Sequence, residues 1–248
     1  MSQPKSKQAG PGRAPKSPKP KHRQGLIALW QSNIGKKFVM AATGLVMLAY
    51  LLVHMLGNLK IFFGPRDFDE YAHWLRTVGE PLLHGAWFLW IVRAVLLASV
   101  VLHIVAAAQL SRRDQKARPV KYRASRPFQA TFATHTMRWG GVILALFIVW
   151  HILDLTVGAV HQGTFEEGKV YNNVEQDFQV WWVNVIYIVA MIAVGLHINH
   201  GFWSASQTLG INNPRRDKAI KAVGTTLAVA ISGGFILVPV AVMTGIVS

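Results

Sequence analysis

The chain has 248 residues, of which 52% are hydrophobic, and its formal net charge is +15. The hydrophobic residues are gathered into blocks of about 20 with few charges, which excludes an ordinary soluble domain and predicts an integral membrane protein. The absence of cysteine excludes disulfides, cysteine-ligated iron–sulphur clusters and haem attached through a C-x-x-C-H motif. Dinucleotide and P-loop fingerprints are also missing. Any flavin, nucleotide or cluster chemistry must therefore belong to another subunit.

The N-terminal segment is taken as residues 1–30, of which residues 1–25 are rich in Pro, Lys, Gly and Ser and offer almost nothing to bury. This composition predicts a basic, disordered cytoplasmic tail. The tail has no apolar h-region, so we expect no signal peptide before the first span.

Residues 31–248 are predicted to form a five-helix membrane anchor. Each apolar block is long enough to cross about 30 Å of hydrocarbon as a helix. The predicted spans are residues 38–59, 85–110, 139–160, 181–209 and 219–247. We therefore expect an all-α integral membrane fold whose first four helices form a bundle.

The charges between the blocks alternate in sign along the chain. Residues 1–37 carry nine Lys or Arg and no acid, and residues 111–138 carry eight basic residues and one acid. Residues 60–84 carry three basic and four acidic residues, and residues 161–180 carry one basic and four acidic residues. The positive-inside rule then places the N-terminus in the cytoplasm and the C-terminus outside. The basic loops explain the net charge without nucleic acid and would favour anionic lipid or an acidic partner.

Histidines recur in the first four blocks, where ionisable groups are costly and usually functional. For one such histidine, an interhelical hydrogen bond is the ordinary alternative. At 1.5 Å per residue, His54 and His151 fall in the outer half of the bilayer, and His103 and His197 in the inner half. Two histidines that bind one iron must lie at the same depth in the bilayer. The pattern therefore predicts two bis-histidine b-type haems, His54 with His151 and His103 with His197, about 10 Å apart in depth.

A second histidine, His200, lies close to His197 in the fourth block. Small residues surround His197 at helical spacing and leave room for a macrocycle, whereas Leu196 and Trp203 flank His200. We therefore prefer His197 as the ligand. His200 is assigned to a haem propionate, a quinone or a partner subunit, with ordinary packing as the alternative.

Three further residues are candidates for the surroundings of the outer haem. Arg93 is the only basic residue well inside a span, and a haem propionate is its expected partner. Pairing with Asp154 or snorkelling outward are the alternatives. Asp154 itself is expected at the outer rim, with orientation of a ligand as the alternative. Tyr50 lies one turn before His54.

These segments resemble the cytochrome b subunit of succinate dehydrogenase and fumarate reductase, in its five-helix, two-haem, menaquinone-linked form. The resemblance covers about residues 30–215 and is carried by SNIGKKFVMAATGL, VHMLGN, LHIVAAAQL, VWHILDL and GLHINHGFWS. In that family the fourth-span ligand is followed four residues later by Gly and two further by an aromatic. In this chain Gly201 and Trp203 lie at these two positions after His197. The resemblance therefore also favours His197 as the ligand.

The resemblance implies a multi-pass subunit of the bacterial cytoplasmic (inner) membrane that serves the respiratory chain and the tricarboxylic acid cycle. A flavoprotein subunit with FAD and an iron–sulphur subunit would bind at the cytoplasmic face and exchange electrons with menaquinone through two haem b. The chain would be an enzyme subunit without the dicarboxylate site. The direction of the reaction and a higher oligomer of the complex stay open.

Quinone chemistry requires proton donors close to the ring. Glu80, His84 and Asp67 are candidates for an outer quinone site, each of them an ordinary loop residue otherwise. Ser32, Lys36 and His200 are candidates for an inner site. One departure from the family concerns the position two residues before the fourth-span ligand, where some menaquinol fumarate reductases have a Glu that serves a transmembrane proton route. Here that residue is Gly195, so we do not expect this route unless Arg93 or other groups substitute for the Glu.

Two other functions compete with this interpretation. A cytochrome b subunit of a hydrogenase or formate dehydrogenase also carries haem and meets quinone, but usually has four spans. A transporter with a histidine relay would string its histidines along one path. The haem content of the purified chain separates the relay from both cytochromes.

Overall fold

The long apolar runs fold as helices, in which every backbone polar group is satisfied within the segment. The computed structural model describes residues 25–117 and 129–248, and within these residues it contains helices and no strand. Most of the predicted tail, residues 1–24, and part of the second basic loop lie outside the described residues. The helices are α1 (Leu26–Gln31), α2 (Asn33–Asn58), a 3-10 turn (Leu59–Phe63), α3 (Pro65–Thr77), α4 (Trp87–Lys116), α5 (Gln129–Leu155), α6 (Val170–Phe178), α7 (Trp181–Thr208) and α8 (Asp217–Met243).

Five segments are long and apolar enough to cross a membrane, which confirms the predicted transmembrane character. They are Asn33–Phe63, Trp87–Lys116, Met137–Leu155, Trp181–Thr208 and Asp217–Met243. The first begins earlier than predicted because the Ser32 hydroxyl caps α2 by accepting a hydrogen bond from the Gly35 amide at 2.8 Å. The third ends at Leu155, before the predicted residue 160, where Gly158 has a positive φ of 74° and closes the helix end.

Two short helices occupy segments that were predicted only as loops. Helix α3 follows Gly64, with Pro65 in its first turn, and α6 packs against it. The Tyr171 amide at the start of α6 donates to Asp69 Oδ1 at 2.9 Å, and its hydroxyl donates to the Ser248 carbonyl at 3.3 Å. Burial raises the pKa of the Tyr171 phenol, so this group remains a donor at neutral pH. We call this end of the molecule, with α3, α6 and residues 156–169, the loop end.

The opposite end, which we call the α1 end, joins the start of α2 to the end of α4. Arg113 Nη1 donates to the Gln31 carbonyl at 3.1 Å and to Asn33 Oδ1 at 2.6 Å. Trp203 Nε1 donates to Asp217 Oδ1 at 3.0 Å, which ties the end of α7 to the start of α8.

Helix α7 is central, because it packs against α2, α5 and α8. Helix α2 also packs against α4 and α8. Along the described residues, α4 does not pack closely against α7, and α2 does not pack closely against α5. The arrangement therefore leaves two gaps, α2–α5 and α4–α7, between helices that share a neighbour.

Adjacent glycines on α8 test the contact between α2 and α8. A Cβ atom on Gly234 would lie 2.5 Å from Met55 Sδ and 2.8 Å from Met55 Cγ, whereas a Cβ on Gly233 would meet nothing within 4 Å. Gly234→Val should therefore lower the free energy of unfolding in detergent by about 1–3 kcal/mol more than Gly233→Val. Both changes carry the same helix-propensity cost, so equal losses in thermal unfolding would contradict the packing.

Candidate functional site

The first histidine pair bridges the gap between α2 and α5. The His54 and His151 ring centroids are 6.1 Å apart, with an interplanar angle of 75°. Tyr50 stacks on His54 at 5.2 Å, and Phe147 stacks on His151 at 5.7 Å. An aromatic ring therefore stacks on one face of each imidazole. The edges of the imidazoles remain available to other partners.

The second pair bridges the gap between α4 and α7. The His103 and His197 ring centroids are 6.2 Å apart, with an interplanar angle of 56°. His103 lies against α2, where a Cβ on Gly44 would sit 3.4 Å from its Cε1 atom. Each predicted pair of histidines is therefore brought together, across two helices that do not pack closely.

The hydrogen bonds of the two rings orient them. His103 Nδ1 lies 3.0 Å from the Met40 carbonyl, which can only accept, so Nδ1 carries the proton and Nε2 the lone pair. The Tyr187 hydroxyl lies 3.0 Å from His151 Nδ1 and 3.3 Å from Asp154 Oδ2, so it connects the His151 ring to Asp154. Such outer hydrogen bonds are typical of metal-binding histidines.

The two pairs lie at different levels along the helices. Gly44, beside His103, precedes His54 by ten residues on α2, and Tyr187, beside His151, precedes His197 by ten residues on α7. Ten helical residues correspond to about 15 Å. Both helices give the same spacing in residues, which places the two pairs at different levels.

Each pair brings two imidazoles together with ring centroids 6.1 and 6.2 Å apart. Two imidazoles from neighbouring helices are the side chains that would hold a haem iron. His197 Nδ1 is buried without a hydrogen-bond partner in the described part of the chain, and a Cβ on Gly201 would meet nothing within 4 Å. The residues present therefore fit haem.

The residues that were predicted to surround the histidine pairs differ in where they lie. Tyr50 contacts His54. Arg93 is exposed and lies 5.0 Å from the Trp90 ring, and it does not pair with Asp154, which is fully buried rather than at an exposed rim. His200 is half-buried, with no hydrogen bond or ion pair to another described residue.

The quinone candidates do not form one cluster. Glu80 and His84 are exposed between α3 and α4. Ser32 caps α2, and the buried Lys36 donates from Nζ to the Trp30 carbonyl at 2.7 Å, both at the α1 end. Asp67 lines a groove of about 300 Å³ at the loop end, together with Lys60, Glu70, Tyr71 and Trp74.

Gly195, where some relatives of the resembled family have Glu, lies against α8. A Cβ at this position would be 2.5 Å from Ser232 Oγ and 3.6 Å from the Ala228 carbonyl. A longer side chain would have to displace the helix contact. The structure therefore gives a carboxylate at residue 195 no room.

Sequence reasoning missed Tyr187 and the environment of Asp154. Asp154, His161 and Asp177 form a buried group at the loop end, and Tyr187 connects Asp154 to His151. The available signal was Tyr187 itself, a polar residue within an apolar span and ten residues before His197.

The chain was compared with known proteins at the levels of sequence and structure. No family model, no curated protein and no solved structure matches it.

Removing the Tyr187 hydroxyl tests the bridge between His151 and Asp154. Tyr187→Phe leaves Asp154 Oδ2 and His151 Nδ1 without this partner, and we expect a loss of about 1–3 kcal/mol in the free energy of unfolding. Tyr50→Phe is the matched control, because the Tyr50 hydroxyl makes no hydrogen bond within the described residues. Equal thermal unfolding of the two variants would disprove the bridge.

Proposed function

We propose that the chain is the di-haem b membrane anchor of a succinate:quinone oxidoreductase. The observation that carries the proposal is that two histidine pairs, with ring centroids 6.1 and 6.2 Å apart, span two helix gaps at two levels. The sequence resemblance to the five-helix cytochrome b subunit supports the same function. The proposal includes a location in the bacterial cytoplasmic membrane.

Under this proposal His54 and His151 hold one haem, and His103 and His197 hold the other. When bound, haem supplies one-electron redox chemistry. The chain orients the imidazoles: the Met40 carbonyl fixes the His103 ring, and Tyr187 fixes the His151 ring. The apolar helices exclude water, and the two levels, about 15 Å apart along the helices, divide the path through the membrane into two stages.

The α1 end is the proposed cytoplasmic end, where the flavoprotein and iron–sulphur subunits would bind. Basic residues of the described part of the chain lie near this end, and the positive-inside rule places such segments in the cytoplasm. Described residues that contribute are Arg112, Arg113, Lys116, Arg215, Arg216 and Lys218. The C-terminus then lies outside.

We place the outer menaquinone site in the groove between the 3-10 turn and α3. Its wall includes Tyr71, whose hydroxyl lies 2.9 Å from where a Cβ on Gly57 would be, one turn beyond His54. Asp67 supplies a carboxylate and Trp74 an aromatic surface in the same groove. The groove therefore combines a carboxylate with a wall that reaches, through Tyr71, to one turn beyond His54.

Single histidine variants test the haem assignment. His54→Ala and His103→Ala should each lose about half of the haem b measured by the pyridine haemochrome assay. His200→Ala is the matched control and should keep all of it. Redox titration of each variant should then show one haem component, where the wild type shows two.

Other outcomes of these variants would contradict the haem assignment. Full haem in His103→Ala, or loss of the inner haem in His200→Ala with full haem in His197→Ala, would contradict the ligand set. Haem-replete protein whose purified complex shows no succinate-dependent haem reduction would instead favour the cytochrome of a hydrogenase or formate dehydrogenase.

A histidine-relay transporter is the second candidate. The observation in its favour is the hydrogen-bonded path from His151 through Tyr187 to Asp154 at the loop end. A relay needs no haem, so haem-free, folded protein that moves protons in vesicles would support it over the cytochrome.

A further inference from the structure

A compact group of three ionisable side chains lies beneath the surface of the loop end. Asp154 comes from the last turn of α5, His161 from the following loop and Asp177 from the last turn of α6. The His161 side chain is 1% exposed, and both aspartates are 0% exposed. Three separate segments thus contribute one charged or chargeable group each to a dry site.

The hydrogen bonds of this group are incomplete among the described residues. Both ring nitrogens of His161, Asp154 Oδ1 and Asp177 Oδ2 are buried without a partner. The other carboxylate oxygens have weak contacts, from the Tyr187 hydroxyl at 3.3 Å and the Gln162 amide at 3.4 Å. Leaving such groups unpaired in a buried site is costly.

The distances within the group are compatible with metal coordination. His161 Nδ1 lies 3.5 Å from Asp154 Oδ1 and 3.5 Å from Asp177 Oδ1. A charge-assisted N–H···O bond would be about 2.7–2.9 Å long. Ligand atoms of a tetrahedral zinc ion with bonds of about 2.0–2.1 Å lie about 3.3–3.4 Å apart. One ligand atom from each side chain lies within 4.8 Å of the others.

We propose that Asp154, His161 and Asp177 bind a divalent transition-metal cation of the zinc type. One imidazole and two carboxylates suit such an ion, and its two positive charges balance the two buried carboxylates. The ion fastens the end of α5 to the loop and to α6. The site does not depend on the haem proposal, although Tyr187 connects it to His151.

The direct test is the zinc content of the full-length protein in detergent, equilibrated with Zn²⁺ and then dialysed against metal-free buffer. We expect about one zinc per chain by mass spectrometry, and a higher melting temperature with Zn²⁺ than with chelator. His161→Ala and Asp177→Asn should lose the metal. Glu167→Gln, an exposed carboxylate of the same loop, and His84→Ala are matched controls that should keep it.

Wild-type protein also gives an independent measurement should the variants fail to fold. Zinc-edge X-ray absorption should show nitrogen or oxygen ligands at about 2.0–2.1 Å with the outer-shell scattering of one imidazole and no sulphur, and Co²⁺ in place of zinc should give the intense visible bands of a four-coordinate site. If the wild-type protein retains no zinc, the proposal is overturned. A proton shared among the three side chains would then take the place of the ion. Zinc that survives in His161→Ala and Asp177→Asn would be adventitious and would overturn the proposal equally.

Haem content, measured on the same samples, keeps the two proposals separate. The proposed cation site predicts unchanged haem b in His161→Ala relative to Glu167→Gln. Loss of zinc with full haem supports the cation site alone. Loss of haem with full zinc contradicts it, because the ion would then be bound elsewhere.

Discussion

Four imidazoles among apolar helices impose the constraint on which the rest of the structure depends. An ionisable ring at membrane depth requires a partner, and each ring here faces a second imidazole across a gap between helices. Each gap exists because the two helices pack against a common neighbour instead of each other: α2 and α5 both contact α7, and α4 and α7 both contact α2. The packing that holds the histidines at about 6 Å also keeps their helices apart.

Helix α7 organises both levels of the site. It carries His197 at one level and, ten residues earlier, Tyr187 at the other. Its opposite face is occupied by α8, which has no histidine but contacts α7 closely at Gly195 and Ser232. The fifth span therefore supports the fourth, and this support explains why residue 195 is small in this chain.

The sequence predicted the helices that have a strong physical signal. Block length and composition were sufficient for five spans, and depth along each span paired His54 with His151 and His103 with His197. Helices α3 and α6 were missed because they are short and polar on one face, although Gly64, Pro65 and Asp67 are a typical helix start. The group of Asp154, His161 and Asp177 depends on the path of a loop, which no periodicity encodes.

The separation of the two levels required the structure, because it depends on which residues of α2 and α7 lie beside the partner histidines. The contacts at Gly44 and Tyr187 supply this register. The same contacts identified Tyr187 as the residue that connects the outer pair to the loop end.

The central claim is that the two histidine pairs hold two non-covalent haems. The most direct measurement is the number of moles of b-type haem per mole of purified wild-type chain, together with the low-spin spectrum of bis-histidine ligation. The account predicts about two haem b per chain. Folded, membrane-inserted protein without haem would contradict it.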